Sequence, residues 1–305
     1  MSAFLPDLWI IISLTAAVFQ TVRFMLQKHL ATATLTAAGA TFSRFFYALP
    51  FVTLLLLVYL VGRDVALPAV GTSFWGFGLL GACAQITATV CTVLLFKQRN
   101  FAVGMTFTKT EVIQTVLVGW LLLGEGVSPL GFMAISIGIV GLLLLSAAPA
   151  GTGFRLRDLG NKASALGIAS GILFAFSGVS YRGATLAVAA EDPFLRAGLT
   201  LTVVVAMQTV IMLVWLRWRE PGQIAAVWKA RRVAVWIGLT SMAGSLGWFT
   251  AFALQNAAYV KAVGQVEIIF SIVATVLFFR ERITAREALG MAILSVSILL
   301  LILVI

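Results

Sequence analysis

Two stretches of the sequence, beginning 156 residues apart at positions 100 and 256, align without a gap. Residues 100–125 read NFAVGMTFTKTEVIQTVLVGWLLLGE, and residues 256–281 read NAAYVKAVGQVEIIFSIVATVLFFRE. Three polar identities anchor the alignment, namely Asn100 with Asn256, Glu111 with Glu267, and Glu125 with Glu281. Leucine matches arise from apolar composition alone, whereas coincident polar residues in an apolar context indicate an internal repeat. We therefore expect two related halves, residues 1–150 and 151–305.

The composition around this repeat is that of a membrane protein. Of the 305 residues, 61% are hydrophobic and 10% are charged, against roughly 45–50% and 25% in a soluble globular domain. The mean hydropathy is +1.06. So few charges cannot supply the polar surface that keeps a soluble protein in solution, so lipid must cover this chain.

Apolar runs of about 18–25 residues recur along the chain, and each is long enough to cross a hydrocarbon core of about 30 Å. We count ten, at Leu8–Gln27, Ala38–Val61, Ser73–Phe96, Phe101–Leu123, Leu130–Ala147, Ala163–Tyr181, Leu195–Leu216, Val233–Gln255, Tyr259–Phe279 and Glu287–Ile305. Five crossings in each half make the halves enter the membrane from opposite sides. The predicted fold is an all-α integral membrane protein of ten transmembrane helices, arranged as two inverted five-helix repeats.

Several function classes find no support in the sequence. Cys83, Cys91 and His29 have neither metal-ligand nor catalytic spacing, so we expect no metal, no cofactor and no enzymatic activity. The net charge of +10 resides mainly in short connectors, which argues against a nucleic-acid interface.

Fourteen Lys and Arg flank the membrane on one side and three on the side of the termini. Because basic connectors stay in the cytoplasm, the count predicts that both termini face outward.

The two repeats, with the corners LLLGE at Glu125 and FFRER at Glu281, resemble the EamA-type branch of the drug/metabolite transporter superfamily. The resemblance implies a multi-pass transporter of the cell membrane, with the bacterial inner membrane as the expected location. That branch carries amino acids, other metabolites and drugs, largely as exporters, and usually keeps its termini inside. Its fourth and ninth helices often contain a helix-breaking proline. This sequence instead has Lys109-Thr110-Glu111 and Gln265-Val266-Glu267 at those places.

Ionisable side chains within the predicted spans are the first candidates for a site, because burying one at bilayer depth costs about 2.5–3.5 kcal/mol. Glu111 lies near the middle of its span, and Glu267 lies about a third of the way along the ninth. Lys109 is about 200° round the helix from Glu111, so it needs another partner, such as Glu267 or a substrate carboxylate. The candidate substrate-binding or proton-coupling residues are Glu111, Glu267, Lys109, Lys261, Gln265, Arg23 and Gln114.

Two further patterns support members of this set. Lys261 and Gln265 are i,i+4 neighbours and form a second polar patch, and Arg23 lies in one polar stripe with Gln20 and Gln27. The alternative is that the buried charges only form ion pairs that hold helices together. Gln114 has a similar alternative as an interhelical hydrogen-bond partner.

Other charged residues have structural interpretations. Arg44 and Arg196, near helix ends, are expected to reach the membrane interface as anchors. Glu125 and Glu281 precede helices, so we expect them to cap helix N-termini.

The leading hypothesis is a secondary active transporter, in the exporting direction, of small polar or zwitterionic metabolites such as amino acids. Glu111 and Glu267 would bind the substrate ammonium or a coupling proton, and Lys109 a carboxylate, with alternating access about a midplane site. One alternative is a multidrug exporter of lipophilic cations, and another is a non-transporting regulatory or lipid-binding membrane protein. The expected partners are a small-molecule substrate, protons and the lipid bilayer, and the oligomeric state stays open.

Overall fold

The computed structural model of the protein describes residues 8–97, 108, 111–146, 162–278 and 284–304, and these are helical almost throughout. The helices are α1 (Leu8–Ala33), α2 (Ala37–Arg63), α3 (Thr72–Phe96), α4 (Glu111–Leu123), α5 (Pro129–Ser146), α6 (Lys162–Leu186), α7 (Pro193–Arg219), α8 (Gln223–Lys229), α9 (Arg231–Leu254), α10 (Ala257–Val263), α11 (Glu267–Leu277) and α12 (Ala285–Val304). No β-strand occurs among the described residues.

Within the described ranges, seven helical segments are long and apolar enough to cross a membrane. Six of them lie in α1, α2, α3, α6, α7 and α9, and the seventh is Ala257–Ala274, which includes α10 and most of α11. Shorter apolar helices follow at Glu111–Leu123, Pro129–Gly141 and Ala288–Ser297. The prediction of an all-helical, multi-pass membrane protein is confirmed at this level.

Side-chain caps begin several of the long helices. The Thr36 hydroxyl accepts a hydrogen bond from the Gly39 N–H at 3.0 Å ahead of α2. Asp192 likewise accepts from Phe194 N–H at 2.9 Å ahead of α7, whose first residue is Pro193. Such caps satisfy backbone N–H groups that have no partner within the helix. They fix the starts of these helices close to the positions that the apolar runs predict.

The ninth predicted span is broken, although its sequence reads as one helix over 259–279. A 3₁₀ turn at Gly264–Val266 separates α10 from α11, which begins at Glu267. No proline is present at the break. A Cβ on Gly264 would lie 2.6 Å from Cη2 of the Trp248 ring, which packs directly over the turn. Glycine is therefore required here by a close approach from another helix.

The helices pack in a small set of pairs. α3 lies along α6, α1 along α9, α2 along α7, and α5 along α12. α4 also packs on α6, α11 on α1, and both α2–α9 and α3–α7 are in contact. The largest cluster of buried apolar side chains runs between α1, α2, α7 and α9, with Phe42, Phe45 and Phe249 among its members.

The connectors at one end of the bundle are joined by backbone hydrogen bonds. The N–H of Gly71 donates to the carbonyl of Ala187 at 2.9 Å, and the N–H of Ala189 donates to the carbonyl of Ala69 at 2.9 Å. This isolated bridge, centred on Val70 and Val188, links the α2–α3 connector to the α6–α7 connector.

Candidate functional site

A small cavity lies in the middle of the bundle, between α1, α3, α4, α6, α9 and α10. Its free volume is about 20 Å³, which is room for about one water molecule. Both polar and aromatic side chains line it, including Gln20, Gln85, Glu111, Tyr181, Trp248 and Lys261. In this conformation the lining side chains leave too little space for a metabolite.

A buried ion pair occupies this cavity. Nζ of Lys261, on α10, lies 3.4 Å from Oε2 of Glu111, on α4, and the two residues are 9% and 3% exposed. Taking two charges out of water is costly, so a buried pair depends on close mutual attraction and on polar neighbours. The sequence named both residues as candidates but expected Lys109 to supply the cation for the site. Lys109 lies outside the described residues.

Three aromatic rings surround the Lys261 ammonium. Its Nζ lies 5.8 Å from the ring centre of Phe174, 5.7 Å from that of Trp248 and 5.8 Å from that of Phe252. Cations are attracted to the faces of aromatic rings within about 6 Å of the centroid. We call these three rings, together with the Glu111 carboxylate, the ammonium cage.

Glu267 is connected to the cavity wall through Gln20. The indole N–H of Trp248 donates to Oε1 of Gln20 at 2.9 Å, and Nε2 of Gln20 donates to Oε1 of Glu267 at 2.6 Å. Glu267 is 0% exposed and is not among the residues that line the cavity. This carboxylate therefore holds Gln20, which in turn holds one wall of the ammonium cage.

The two repeat-related glutamates each have a hydroxyl residue one turn further along their helices. Glu267 is the first residue of α11, whereas Thr108, ahead of Glu111, is itself helical. The hydroxyl of Thr115 donates to the Glu111 carbonyl at 2.7 Å, and that of Ser271 to the Glu267 carbonyl at 2.6 Å. The Glu267 carboxylate, in the first turn of α11, is stabilised by the positive end of that helix's dipole.

Arg23 lies beside the cavity and does not line it. Its Nη1 donates to Oε1 of Gln27 at 2.9 Å, and Nε2 of Gln27 donates to the Ala40 carbonyl at 3.0 Å. The polar stripe predicted on α1 is therefore divided, because Gln20 faces the cavity while Arg23 and Gln27 cross-link α1 to α2.

The other predicted amides also stand apart from the cavity. Gln265 lies in the 3₁₀ turn and is buried, so the helix break removes it from the continuous helical face that the sequence assigned to it with Lys261. Gln114 is half-buried on α4, and its Oε1 has no hydrogen-bond partner within the part of the chain that the structure describes.

Arg44 is buried in the bundle, so the prediction that it anchors the membrane interface is wrong. It is 2% exposed and donates to the hydroxyls of Ser241 at 2.8 Å, Thr89 at 3.2 Å and Ser245 at 3.2 Å. Since Ser245 lines the cavity, a second buried cation lies immediately behind the cavity wall. Because Arg44 lies near the end of an apolar run, the sequence did not indicate that its guanidinium is buried beside the cavity.

Tyr181 forms a neutral hydrogen-bonded wall of the cavity. Its hydroxyl donates to the Gly81 carbonyl at 2.9 Å and lies 3.1 Å from Oε1 of Gln85. Nε2 of Gln208 donates to the same Gln85 oxygen at 2.8 Å. These contacts fix α3, α6 and α7 to one another beside the ion pair.

Glu125 is a partner of Arg182 and does not cap a helix. Its Oε1 lies 2.5 Å from Nε of Arg182, whose Nη1 donates to the carbonyls of Phe252 at 2.6 Å and Gln255 at 2.7 Å. The predicted cap is wrong for Glu125 because this arginine from α6 competes for the carboxylate. Glu281, the repeat partner, lies outside the described residues.

Comparisons with known proteins give a fold and no activity. No family model and no curated protein matches the sequence. A solved structure described only as the crystal structure of a protein is similar, with a TM-score of 0.67 and 14% identity. The similarity covers 96% of this chain and 95% of the other. The helical arrangement along nearly the whole chain is therefore one that also occurs in an experimentally determined structure.

Proposed function

We propose that this chain is a secondary active transporter of the drug/metabolite transporter type, built from ten transmembrane helices in two inverted repeats. Under this proposal α1 to α5 correspond in order to α6, α7, α9, the broken helix α10–α11, and α12. The packing supports the correspondence. Under this correspondence the α3–α6 contact is equivalent to the α1–α9 contact, the α4–α6 contact to the α1–α11 contact, and the α2–α9 contact to the α3–α7 contact. The α2–α7 and α5–α12 contacts each join two equivalent helices. All of these contacts are present.

We further propose that the substrate is a small zwitterion, such as an amino acid. The observation that carries this proposal is the Glu111–Lys261 pair, one carboxylate and one ammonium 3.4 Å apart in a small central cavity. A zwitterion can insert between them, with its ammonium on Glu111 and its carboxylate on Lys261. Each buried charge then exchanges one partner for another, and the net charge of the cavity does not change. Lys261 thus takes the role that the sequence gave to Lys109.

The same charge balance argues against a lipophilic cation as substrate. A cation that displaced Lys261 from Glu111 would leave the lysine ammonium buried without that counter-charge, which is costly at bilayer depth. Charge repulsion of this kind is a common basis of specificity.

Alternating access is the transport mechanism that this arrangement favours. A cavity with room for about one water has to open before a metabolite can enter, and rocking of one repeat against the other opens it to either side. The 3₁₀ break next to Glu267 resembles the discontinuous helices that form midplane sites in secondary transporters. A proton on either glutamate is the coupling ion that we propose, with export as the direction.

Flux into proteoliposomes tests the proposal. Purified protein is reconstituted and screened with a panel of radiolabelled amino acids, in the presence and absence of a pH gradient. We expect saturable flux of at least one zwitterion, lost in Glu111→Gln and in Lys261→Met. The matched controls are Glu191→Gln and Lys229→Ala, since Glu191 is exposed in the α6–α7 connector and Lys229 is exposed at the end of α8.

Three outcomes would count against the proposal. Flux of a lipophilic cation such as tetraphenylphosphonium without flux of any zwitterion would favour the multidrug alternative. Folded protein that moves neither class would favour the non-transporting alternative. Undiminished zwitterion flux in both Glu111→Gln and Lys261→Met would show that the ion pair does not bind the substrate.

A further inference from the structure

The Lys261 ammonium has the surroundings that a ligand ammonium would need. Three ring centres lie at 5.7–5.8 Å from Nζ and a carboxylate oxygen lies at 3.4 Å. Aromatic cages with a nearby carboxylate are a general way to bind alkylammonium groups. Here the group in the cage belongs to the protein itself.

The lysine chain is also accommodated by the helix opposite. A Cβ on Gly178 of α6 would lie 3.0 Å from Cε and 3.9 Å from Nζ of Lys261. Any larger residue at Gly178 would therefore press on the end of the lysine chain. With the lysine in place, the remaining free volume is about 20 Å³, which leaves no room for an alkylammonium ion beside it.

We propose that the ammonium cage is a binding site for primary alkylammonium groups, and that Lys261 is its tethered occupant when no ligand is bound. A ligand ammonium enters the cage when the Lys261 side chain leaves it. The inference rests on the proposed function only in naming a zwitterion as the natural competitor of Lys261.

Displacement explains which ligands the intact site accepts. A simple amine that takes the cage leaves Lys261 buried without the Glu111 carboxylate, whereas a zwitterion supplies a new carboxylate for the lysine. The intact protein should therefore discriminate against simple amines. Removal of the lysine side chain should abolish that discrimination and open the cage to them.

Chemical rescue tests this inference directly. Lys261→Ala removes the atoms that n-propylammonium contains, so this ion should occupy the vacated cage. We expect n-propylammonium to raise the Tm of purified Lys261→Ala in a saturable manner, because it binds only the folded state. Its apparent affinity for wild type and for Lys229→Ala should be weaker by on the order of tenfold or more, since the tethered amine competes in both.

Two further variants make the readout specific. Lys261→Met fills the cage with an uncharged chain and should show no rescue. Lys261→Ala combined with Glu111→Gln keeps the space and removes the carboxylate, so rescue should be largely lost. If Lys261→Ala is obtained only in unfolded form, growth and purification in n-propylammonium should recover folded protein.

The inference is overturned if folded Lys261→Ala shows no saturable shift, or if wild type shifts equally. It is also overturned if unfolded Lys261→Ala is not recovered by the amine. These measurements need no flux. Rescue without transport would refute the proposed function and support the ammonium cage as a binding site. Transport without rescue would support the proposed function and refute the cage as a binding site.

Discussion

The Glu111–Lys261 pair allows a quantitative prediction about stability. At 3.4 Å and an effective dielectric constant of about 20, the attraction between two unit charges is about 5 kcal/mol. Desolvation of both groups offsets much of this, so the intact pair adds little net stability. Removal of one partner is different, because the remaining charge stays buried and loses this attraction.

We therefore expect Glu111→Gln and Lys261→Met each to lower the free energy of unfolding by about 3–5 kcal/mol. The double variant removes both charges and should lose far less than the sum of the two, with a coupling energy of at least about 2 kcal/mol. Equilibrium unfolding in mixed micelles, followed by tryptophan fluorescence and circular dichroism, measures all four proteins under one condition.

Additive losses, within about 0.5 kcal/mol, would refute the claim that these two charges act as a pair. Function supplies the second readout. The double variant should be folded and inactive in zwitterion flux, because it has neither charge to offer a substrate. A stable double variant with normal flux would instead make the pair purely structural.

Three further predictions concern other parts of the molecule. Gly264→Ala should cost about 1–3 kcal/mol and weaken zwitterion binding, because its new methyl group displaces Trp248; the exposed helical Gly76→Ala is the control in the same thermal unfolding assay. Arg182→Gln should lower the free energy of unfolding by on the order of 3 kcal/mol, since the guanidinium joins a carboxylate to two backbone carbonyls; an unchanged unfolding midpoint would contradict this. A phosphatase fused after Ile305 should be active and a fluorescent protein there dark, as the connector charges predict; a bright fusion without phosphatase activity would place the termini in the cytoplasm.

The sequence revealed the helical membrane class and the buried glutamates because both depend on local signals. Long apolar runs need no tertiary information, and Glu111 and Glu267 stand out as charges at a fixed offset within such runs. The burial of both residues agrees with that reasoning. Their roles as ligands or proton carriers stay predictions.

Features that depend on contacts between distant segments could not be read in the same way. Phe174, Trp248 and Phe252 come from two helices, and aromatic residues in an apolar run look alike whether they face lipid or a cation. The break after α10 depends on the Trp248 ring lying against Gly264. Its only local signal is the glycine itself, because no proline is present to indicate a break.

Arg44 shows a different limit. Its position near a predicted helix start favours an interfacial anchor when only the length of the apolar run is considered. The hydroxyls that receive its guanidinium, Thr89, Ser241 and Ser245, lie on α3 and α9. Hydroxyl groups are common in transmembrane helices, so without the tertiary fold nothing marks these three as partners of one arginine.

The backbone bridge between the α2–α3 and α6–α7 connectors would act as a latch if the bundle opens at that end. Its two hydrogen bonds contribute about 1–3 kcal/mol together, which would reduce the population open at that end by roughly 5- to 160-fold. In a transporter built this way, unlatching would precede every passage through that end and could set the turnover rate. Because the bonds are between main-chain atoms, most side-chain substitutions leave the latch intact. Proline at Gly71 or Ala189, which deletes one donor N–H, is the change that would loosen it.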